Sequence, residues 1–371
     1  RIEVARIVKR RKYMRKMKYA KRQLTRVFLT VITFSIITTF ILVISSSEDH
    51  TCFVSVPDKS FYSIDESLLD FISSSNTLIT NLEDALKDEL AQVSEYSQFI
   101  IKDVQQIQET IHTMEQHLDE RKFQLLLSLP IINDHNFTFT HNPIGTCTTS
   151  PTNILIVVPS ATTHFENRTT IRNGRRGDFT RDAKNKAKML FFLGRPQTGT
   201  DSKIQQKIDM EAQQYGDIVQ ENFEDIYKNN RLKSVSMLKW VSTYCSNVKY
   251  IIRSDDDITV NVSATVSVLY RTSEKLTNFM FGRRLINDTP IRSSSSKYYL
   301  STEEYPSPVL PPYLLGGLQG YPISTARRLY EAALRVKPIW LEDVYITGIC
   351  ARRVHVPILT DPAFIFEHHD P

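Results

Sequence analysis

Short apolar runs alternate with amphipathic segments along residues 153–350. Three runs are typical of strands buried in a parallel sheet, and they cover residues 154–158, 189–193 and 248–252. Three segments have the spacing of helices, and they cover residues 202–215, 232–245 and 325–336. Alternating strands and helices predict an α/β domain over residues 151–371, with a mostly parallel sheet and helices on both faces.

An uninterrupted apolar segment precedes this domain: residues 27–44 contain no charged side chain. As a helix they would reach about 27 Å, close to the ~30 Å hydrocarbon core of a bilayer. We expect an uncleaved transmembrane signal-anchor. The alternative is a cleaved signal peptide, which would have a shorter apolar run followed by a small-residue cleavage site.

Positive charge is concentrated before the apolar segment. Residues 1–26 carry twelve lysines and arginines and one acid, although the net charge of the whole chain is only +5. This placement argues against nucleic-acid binding, which needs basic charge on a folded face. The positive-inside rule predicts a cytosolic tail over residues 1–26 and a lumenal remainder. We therefore expect a single-pass type II membrane protein.

Residues 45–150 are expected to form a lumenal stem with a long helix. Apolar side chains recur there at three- and four-residue steps, a heptad-like stripe that includes Ile79, Leu82, Leu86, Val93, Tyr96, Ile100, Val104, Ile107, Ile111, Met114 and Leu118. Two interpretations stay open: a parallel coiled coil that makes a homodimer, or a helix packed on the chain's own catalytic domain. Residues 134–151 are rich in Asn, Thr, Pro and His and indicate a linker.

The cysteines and sequons agree with a lumenal location. All four cysteines lie beyond the anchor, and none is in a Cys-x-x-Cys pair, so disulfides are favoured over a zinc site, with the pairing left open. Among the Asn-x-Ser/Thr sequons, we expect glycans at Asn136 and Asn167. We expect Asn261 to be unmodified, because it would lie in a packed segment and cap the helix that follows.

Three consecutive carboxylates, residues 255–257, follow the predicted strand 248–252. Ligands of open α/β sheets bind at the carboxyl ends of strands. Adjacent carboxylates repel one another, and a hard cation such as Mg²⁺ or Mn²⁺ would offset this repulsion and also bind diphosphate oxygens. We expect a metal site here, and a solvated acidic turn is the alternative.

A second acidic pair, Glu342 and Asp343, precedes a predicted helix. A carboxylate in this position can cap the helix, or it can act as the general base that deprotonates an acceptor hydroxyl. Between the two acidic sites, residues 310–321 contain three closely spaced glycines. This spacing indicates a structured loop whose backbone can approach a ligand closely.

Four blocks in this order resemble the β-1,3-galactosyltransferase and β-1,3-N-acetylglucosaminyltransferase family, glycosyltransferase family 31. Residues 168–172 are similar to R-x-x-I-R, and residues 225–233 are similar to D-x-Y-x-N-L-x-x-K. Residues 253–261 are similar to K-x-D-D-D-x-x-x-N, and residues 342–350 are similar to E-D-V followed by G-I-C.

The resemblance implies a GT-A-type, Rossmann-like fold, a UDP-sugar donor, Mn²⁺ or Mg²⁺, and inversion at the anomeric carbon. The expected reaction transfers a hexose, either galactose or an N-acetylhexosamine, in β-1,3 linkage to the glycan of a glycoprotein or glycolipid. Together with the anchor, the resemblance implies a Golgi membrane protein whose catalytic domain is lumenal. The site residues that it implies are Asp343 and, second, Glu342 as the base; Asp255, Asp257 and His368 at the metal; Asp256, Arg168, Arg172, Lys233 and Arg253 at the donor; and Tyr313, Gly316 and Gly317 in the glycine-containing loop.

Three departures from the family pattern lie among these blocks. Residues 173–176 are Asn-Gly-Arg-Arg where the family has Thr-Trp, Arg253 replaces a lysine, and the segment between Tyr313 and Tyr321 is longer than usual. They keep an alternative open, namely a catalytically degenerate member that binds glycans or acts as a chaperone-like Golgi protein. The intact Asp-Asp-Asp and Glu-Asp-Val blocks favour the enzyme.

Overall fold

The computed structural model describes residues 60–199 and 203–366. The predicted tail and anchor, residues 1–44, lie outside this part of the chain, and so do Cys52 and His368. Among the helices that are described, none is both long and apolar enough to cross a membrane. The anchor and the type II orientation therefore stay predictions.

One helix, α1 (Ser60–Leu127), occupies the predicted stem. The chain divides into two compact units between Thr113 and Met114, so the last turns of α1 belong to the second unit. In that unit Phe123 and Leu126 are buried. In the first unit most of the heptad-like stripe is exposed in the single chain, and Ile107, for example, is 56% exposed, whereas Leu82 and Tyr96 are half-buried.

Eight strands of the described chain form one sheet with the order β1-β4-β3-β2-β5-β7-β6-β8. They are β1 Phe139–His141, β2 Ile154–Pro159, β3 Ala187–Arg195, β4 Ile218–Glu224, β5 Tyr250–Ser254, β6 Met280–Leu285, β7 Tyr313–Pro322 and β8 Ile358–Leu359. Strands β4, β3, β2 and β5 are parallel neighbours, whereas β1 is antiparallel to β4, and β7 is antiparallel to β5 and β6. The sheet predicted to be mostly parallel is therefore mixed, with a parallel centre.

The remaining helices lie between and after the strands. They are α2 Phe165–Asn173, α3 Arg175–Arg181, α4 Lys203–Tyr215, α5 Asn230–Tyr244, α6 Val262–Ser273, α7 Ile323–Ala333, a π-helical segment Val344–Cys350, and α8 Ala351–Arg353. The three helices predicted from spacing correspond to α4, α5 and α7, with small shifts at their ends.

Side chains of β2 enter apolar cores on both faces of the sheet. Leu155 and Val157 belong to the core that contains Trp240 of α5. Ile156 belongs to the other core, which contains Leu269 of α6. All five side chains are fully buried. A strand covered on both faces is a continuous apolar run in sequence, which is why the pattern predicts β2 and helices on both faces correctly.

Strand β7 differs from the expectation, because the glycines of residues 310–321 indicated a loop. A Cβ atom on Gly317 would lie 2.3 Å from the ring of Phe366, and one on Gly320 would lie 2.7 Å from the ring of Phe364. These glycines make room for two aromatic rings against the strand, a known use of glycine in strands. The loop interpretation was wrong because the reason for the glycines lies more than forty residues further along the chain.

The segment predicted to be a linker, residues 134–151, is attached to the sheet. Strand β1 pairs antiparallel with β4. His135 Nε2 hydrogen-bonds Glu221 Oε2 at 2.6 Å, and both side chains are buried. The second compact unit therefore includes residues that precede the predicted domain start at residue 151.

A disulfide joins Cys147 to Cys245 at the end of α5. The sequence left this pairing open, and the bond closes a loop of 98 residues. A native disulfide of this kind typically stabilises a domain by about 2–5 kcal/mol and persists in oxidising compartments. Within the described residues Cys350 has no disulfide partner and is buried.

Candidate active site

A cavity of about 890 Å³ opens at the carboxyl ends of β2 and β5. Its walls include Ser160 after β2, the acidic triplet Asp255, Asp256 and Asp257 after β5, and the pair Glu342 and Asp343. Open α/β sheets bind ligands at this edge. The structure thus brings both acidic sites of the sequence together. Five other residues proposed from the sequence also line the cavity: Lys233, Arg253, Tyr313, Gly316 and Gly317.

Asp256 is held by two side chains from the segment after β2. Its Oδ2 atom accepts a hydrogen bond from Ser160 Oγ at 2.6 Å and is hydrogen-bonded to His164 Nδ1 at 2.9 Å. Burial alone raises the pKa of Asp256, but these hydrogen bonds outweigh burial and the pKa is lowered. The same contact raises the pKa of His164. Asp256 is therefore a fixed, ionised carboxylate.

Asp255 lies among both like and opposite charges. Burial raises the pKa of Asp255 to about 7, an effect that Arg253 opposes and Glu342 reinforces. Arg253 Nη2 lies 3.3 Å from Asp255 Oδ1 and 3.3 Å from Glu342 Oε2. One guanidinium thus links the triplet to the second acidic pair. Its Nε and Nη1 atoms have no hydrogen-bond partner among the described residues.

Arg176 fixes the loop that carries the triplet. Its Nη1 atom donates to Ser254 Oγ at 2.7 Å and to the Asp255 carbonyl at 2.9 Å, and its Nη2 atom donates to the Ile258 carbonyl at 2.9 Å. Burial lowers the pKa of Arg176 to about 10, against the nearby aspartates, so the side chain stays charged at neutral pH. Arg176, which belongs to the segment that departs from the family's Thr-Trp, therefore holds the triplet loop in place by hydrogen bonds.

Glu342 and Asp343 are held differently, although they are neighbours in sequence. Glu342 Oε1 accepts a hydrogen bond from Ser234 Oγ at 2.7 Å. Asp343 Oδ1 accepts from the Val344 N–H at 2.9 Å, which is the capping contact expected as one alternative. Burial, followed by the charge of Glu342, raises the pKa of Asp343 to about 6. Asp343 therefore has a pKa suited to accepting a proton near neutral pH.

Lys233 connects α5 to the strand ends around the cavity. Its Nζ atom donates to the Ser160 carbonyl at 2.8 Å and lies 2.7 Å from Asp225 Oδ1. Asp225 Oδ2 in turn accepts from the Gly194 N–H at 3.0 Å, at the end of β3. The second family block thus places one cation in the wall of the cavity, and donor binding by Lys233 stays a prediction.

Arg168 and Arg172 were expected to bind the donor, but neither is among the described residues that line the cavity. Arg168 is fully buried and lies 2.7 Å from Glu211 of α4. Arg172 pairs with Glu211 at 2.7 Å and with Asp217 at 2.8 Å. Arg168 also donates to the Ala161 carbonyl at 2.7 Å. The first family block therefore supports the segment after β2 from behind, and the donor-binding expectation for these two arginines is wrong.

The predicted metal ligands are only partly placed. Asp255 and Asp257 line the cavity, whereas His368 lies outside the described residues. Among the residues that the structure describes, no group of three His, Cys, Asp or Glu side chains is arranged to hold a metal ion. Metal binding therefore stays a prediction.

Three sequons are in different surroundings. Asn136 is exposed, whereas Asn167 is half-buried and its Nδ2 atom donates to the Asp256 carbonyl at 3.3 Å. This contact argues against the glycan expected at Asn167. Asn261 Oδ1 caps α6 by accepting from the Ala264 N–H at 3.2 Å, as expected. The expectation that Asn261 is packed is wrong, because the residue is exposed.

We predict that Asn136 carries a glycan and that Asn167 is largely unmodified in protein from secretory cells. Attachment needs an accessible side chain with room for a bulky sugar. Asn136 is exposed, whereas Asn167 is half-buried and its Nδ2 atom donates to a backbone carbonyl. Glycopeptide mass spectrometry measures both occupancies, and Asn136→Gln provides the control for assigning the glycan. Higher occupancy at Asn167 than at Asn136 would contradict the arrangement of the loop around the triplet.

Several cavity residues were not identified from the sequence. They are Ser160, His164, Ser234, Asp288 and Tyr298. Ser160 follows the apolar run of β2, so the rule that ligands bind at strand ends was a usable signal. The others lie on a helix face or in loops whose position depends on tertiary packing, and no local pattern marks them.

The cavity combines three chemical features at the carboxyl edge of an α/β sheet. It has an acidic triplet, a separate carboxylate with a raised pKa, and cations from Lys233 and Arg253. This combination suits a group-transfer enzyme that stabilises an anionic leaving group and deprotonates a hydroxyl.

Residues 166–362 match the sequence model of the galactosyltransferase family. The match spans more than half of the chain, and the chain belongs to this family. The resemblance inferred from the four blocks is confirmed.

Two relatives and one solved structure show the extent of similarity. Beta-1,3-galactosyltransferase 1 of Homo sapiens is 32% identical over 225 residues, which are 61% of this chain and 68% of that protein. UDP-GalNAc:beta-1,3-N-acetylgalactosaminyltransferase 1 of Homo sapiens is 35% identical over 188 residues, which are 48% of this chain and 55% of that protein. The mannosyltransferase PcManGT from Pyrobaculum calidifontis aligns over 69% of this chain and 65% of its own, with 11% identity and a TM-score of 0.34. That likeness is too weak to establish a shared fold.

Proposed function

We propose that this chain is an inverting glycosyltransferase that moves a hexose from a UDP-sugar to a glycan hydroxyl in β-1,3 linkage. The hexose is galactose or an N-acetylhexosamine, in line with the names of the two relatives. The observation that carries the proposal is that the acidic triplet and Asp343 line one cavity in a member of the galactosyltransferase family. A GT-A-type fold is part of the same proposal.

Asp343 is the proposed general base. The acceptor oxygen attacks the anomeric carbon, the bond from that carbon to UDP breaks, and the hydroxyl proton passes to a carboxylate oxygen of Asp343. A single displacement needs one base and a stabilised leaving group, without a covalent intermediate on the protein. Glu342 is the second choice, because its two oxygens already contact Ser234 and Arg253.

In this proposal the nucleotide binds at the end of the cavity formed by Asp256, His164 and Lys233. Asp256 is ionised and fixed by its hydrogen bonds, which suits it to accept from ribose or uracil donors. Lys233 supplies positive charge in the cavity wall, and Arg253 has two guanidinium nitrogens without partners among the described residues. Both cations suit a diphosphate.

Asp255 and Asp257 suit a Mn²⁺ or Mg²⁺ ion. They supply hard oxygen ligands in one cavity, and the pKa of Asp255 is raised first by burial and then by the neighbouring carboxylates, an effect that a bound cation would oppose. When bound, such an ion would act as a Lewis acid toward the departing diphosphate. Arg253, 3.3 Å from Asp255, provides part of the compensation from the chain itself.

We expect kcat to fall as the pH drops below about 6, because that is the pKa to which burial and Glu342 raise Asp343. A base acts in its deprotonated form, so protonation on the acidic side of the pKa removes activity, approaching tenfold per pH unit. The measurement is kcat at saturating substrates between about pH 4.5 and 8. The residual rate of Asp343→Asn should lack this step, and a flat wild-type profile would rule out the assignment.

The stereochemistry of transfer tests the proposed function. The protein is incubated with UDP-galactose, UDP-N-acetylglucosamine or UDP-N-acetylgalactosamine and a panel of glycan acceptors, and the product is examined by NMR. A β-configured 1,3 linkage is expected. An α-linked product would contradict inversion, and a different linkage position would contradict the acceptor assignment.

The rival proposal is a degenerate family member that binds glycans or assists an active partner. The departure of residues 173–176 from the family sequence favoured this rival. However, Arg176 in that segment donates three hydrogen bonds to the triplet loop, which is a structural role that an active enzyme could use. The enzyme is therefore the better supported of the two.

We further propose that two chains pair through α1 in a Golgi-type lumen. The exposed stripe supports pairing, since Ile107 and Ile111 are 56% and 50% exposed in the single chain. We predict that the double change Ile107→Asp and Ile111→Asp converts a dimer into a monomer in sedimentation velocity runs of the detergent-solubilised chain. The matched control is Gln106→Asp, on a polar position of α1. A wild-type monomer would contradict the proposal.

A further inference from the structure

Three aromatic side chains meet in the wall of the cavity. Tyr227 lies in the 3₁₀ turn after β4, Tyr298 in the segment between β6 and β7, and Trp340 just before the acidic pair. The ring centroid of Tyr227 is 6.4 Å from that of Tyr298 and 6.2 Å from that of Trp340. The rings are inclined at 62° and 59°, so they form a corner and not a flat stack.

This aromatic corner is ordered and partly open. Lys297 Nζ lies 4.8 Å from the ring centroid of Tyr298, and Lys228 Nζ lies 5.8 Å from that of Trp340, so a lysine already lies over one face of each of these two rings. Trp340 is fixed by two hydrogen bonds, from its Nε1–H to the Tyr299 carbonyl at 2.9 Å and from its backbone N–H to Glu304 Oε1 at 2.8 Å. Tyr227 and Tyr298 are 52% and 41% exposed. Aromatic rings that stay partly exposed at a cavity wall are available to contact a ligand.

The aromatic corner is close to the proposed base. The pKa of Tyr227 is raised by burial, by a hydrogen bond with Tyr298, and by the charges of Asp343 and Glu342. Trp340 is also separated from Asp343 by only two residues. A molecule resting on the rings would therefore lie near Asp343 in the same cavity.

We propose that Tyr227, Tyr298 and Trp340 form the subsite for the acceptor sugar and recognise the apolar face of a β-linked hexopyranoside. One face of such a ring presents several C–H bonds whose hydrogens carry slight positive charge, and the faces of aromatic rings carry the complementary negative charge. Two rings at an angle contact both a ring face and its exocyclic CH₂. The inference rests on the proposed function, because it assigns the acceptor end of the same cavity.

The test measures sugar binding separately from transfer. The full chain in detergent, with UDP and Mn²⁺ present, is titrated calorimetrically with the methyl β-glycosides of galactose, N-acetylglucosamine and N-acetylgalactosamine. The variants are Tyr298→Ala, Tyr298→Phe and Tyr227→Ala. The matched control is Tyr270→Ala, since Tyr270 is a 38% exposed tyrosine on α6 that packs on Tyr250 and does not line the cavity.

We expect Tyr298→Ala and Tyr227→Ala to weaken the best-bound glycoside by about tenfold, the effect of losing roughly one aromatic contact. Tyr298→Phe keeps the ring and should stay within about threefold of the wild type. Tyr270→Ala should bind as the wild type does, and the Kd of UDP should be the same in all four variants. Thermal midpoints check that each variant folds.

The outcomes separate this inference from the proposed function. Glycoside affinity that is unchanged in both alanine variants, or a wild type that binds none of the three glycosides, would overturn the subsite. Loss of glycoside binding in the alanine variants together with no product from any donor would leave the subsite standing and overturn the transferase. Product formation with an unchanged acceptor KM in Tyr298→Ala and Tyr227→Ala would support the transferase and overturn the subsite.

Discussion

Replacing Asp343 with Asn is expected to lower kcat by a factor on the order of 10²–10⁴, the usual contribution of a general base. Asparagine has nearly the same shape, and its side-chain oxygen can still accept from the Val344 N–H, so the start of the π-helical segment should survive. What is lost is the ability to take the acceptor proton. Transfer kinetics with donor and acceptor varied separately should show the loss in kcat, with the donor KM close to that of the wild type.

Glu342→Gln is the matched comparison for this change. Glu342 is held by Ser234 and Arg253, and a glutamine keeps an oxygen for the first contact but not the charge for the second. We expect a smaller fall in kcat than for Asp343→Asn. If Glu342→Gln loses more activity than Asp343→Asn, the two residues have the reverse roles, and if neither change affects kcat, the acidic pair does not supply the base.

The second large effect is expected on the rate of sugar transfer, either from Asp257→Asn or from removal of divalent cations. An ion bound at the triplet would contribute several kcal/mol of charge stabilisation to the leaving diphosphate, so its loss should lower transfer by at least about a hundredfold. Asp257 is exposed in the cavity, so the change should not disturb packing. By contrast Asp256 has two side-chain hydrogen bonds, and its replacement would alter the loop itself.

Initial rates with Mn²⁺ and with excess EDTA, for wild type and Asp257→Asn, check this expectation. Glu274→Gln is a suitable control, because Glu274 is an exposed carboxylate at the end of α6 that does not line the cavity. Wild-type activity should disappear in EDTA and return with added Mn²⁺, while Asp257→Asn should stay inactive with either. Full activity in EDTA would show that transfer does not require a divalent metal ion.

Much of the fold follows from local pattern. The apolar run 154–158 is fully buried in β2, and the acidic triplet follows the equally buried β5, so the position of the cavity was predictable from the rule about strand ends. The capping role of Asn261 was also predictable, since it depends only on the next few residues. These features share one property, which is that their causes lie close by in sequence.

The predictions that were wrong depended on residues that lie far away in the sequence. Arg168 and Arg172 meet Glu211 about forty residues away, and the sequence does not show that these charges neutralise one another inside the domain. Strand β7 has glycines because Phe366 packs against it. Tyr298 reaches the cavity from a long connection between β6 and β7. Charge pairing, close packing and loop paths of this kind are decided by tertiary structure, and local spacing does not report them.

Sugar transfer by this family member can be measured through the nucleotide that it releases. The most direct measurement is UDP release from a panel of UDP-sugars, with Mn²⁺ and mixed glycan acceptors, by wild type and Asp343→Asn side by side. We predict that at least one UDP-hexose gives acceptor-dependent UDP release by the wild type, reduced by a factor on the order of 10²–10⁴ in the variant. Release at background level for every donor, by a folded protein that still binds UDP, would contradict it and identify a binding protein instead.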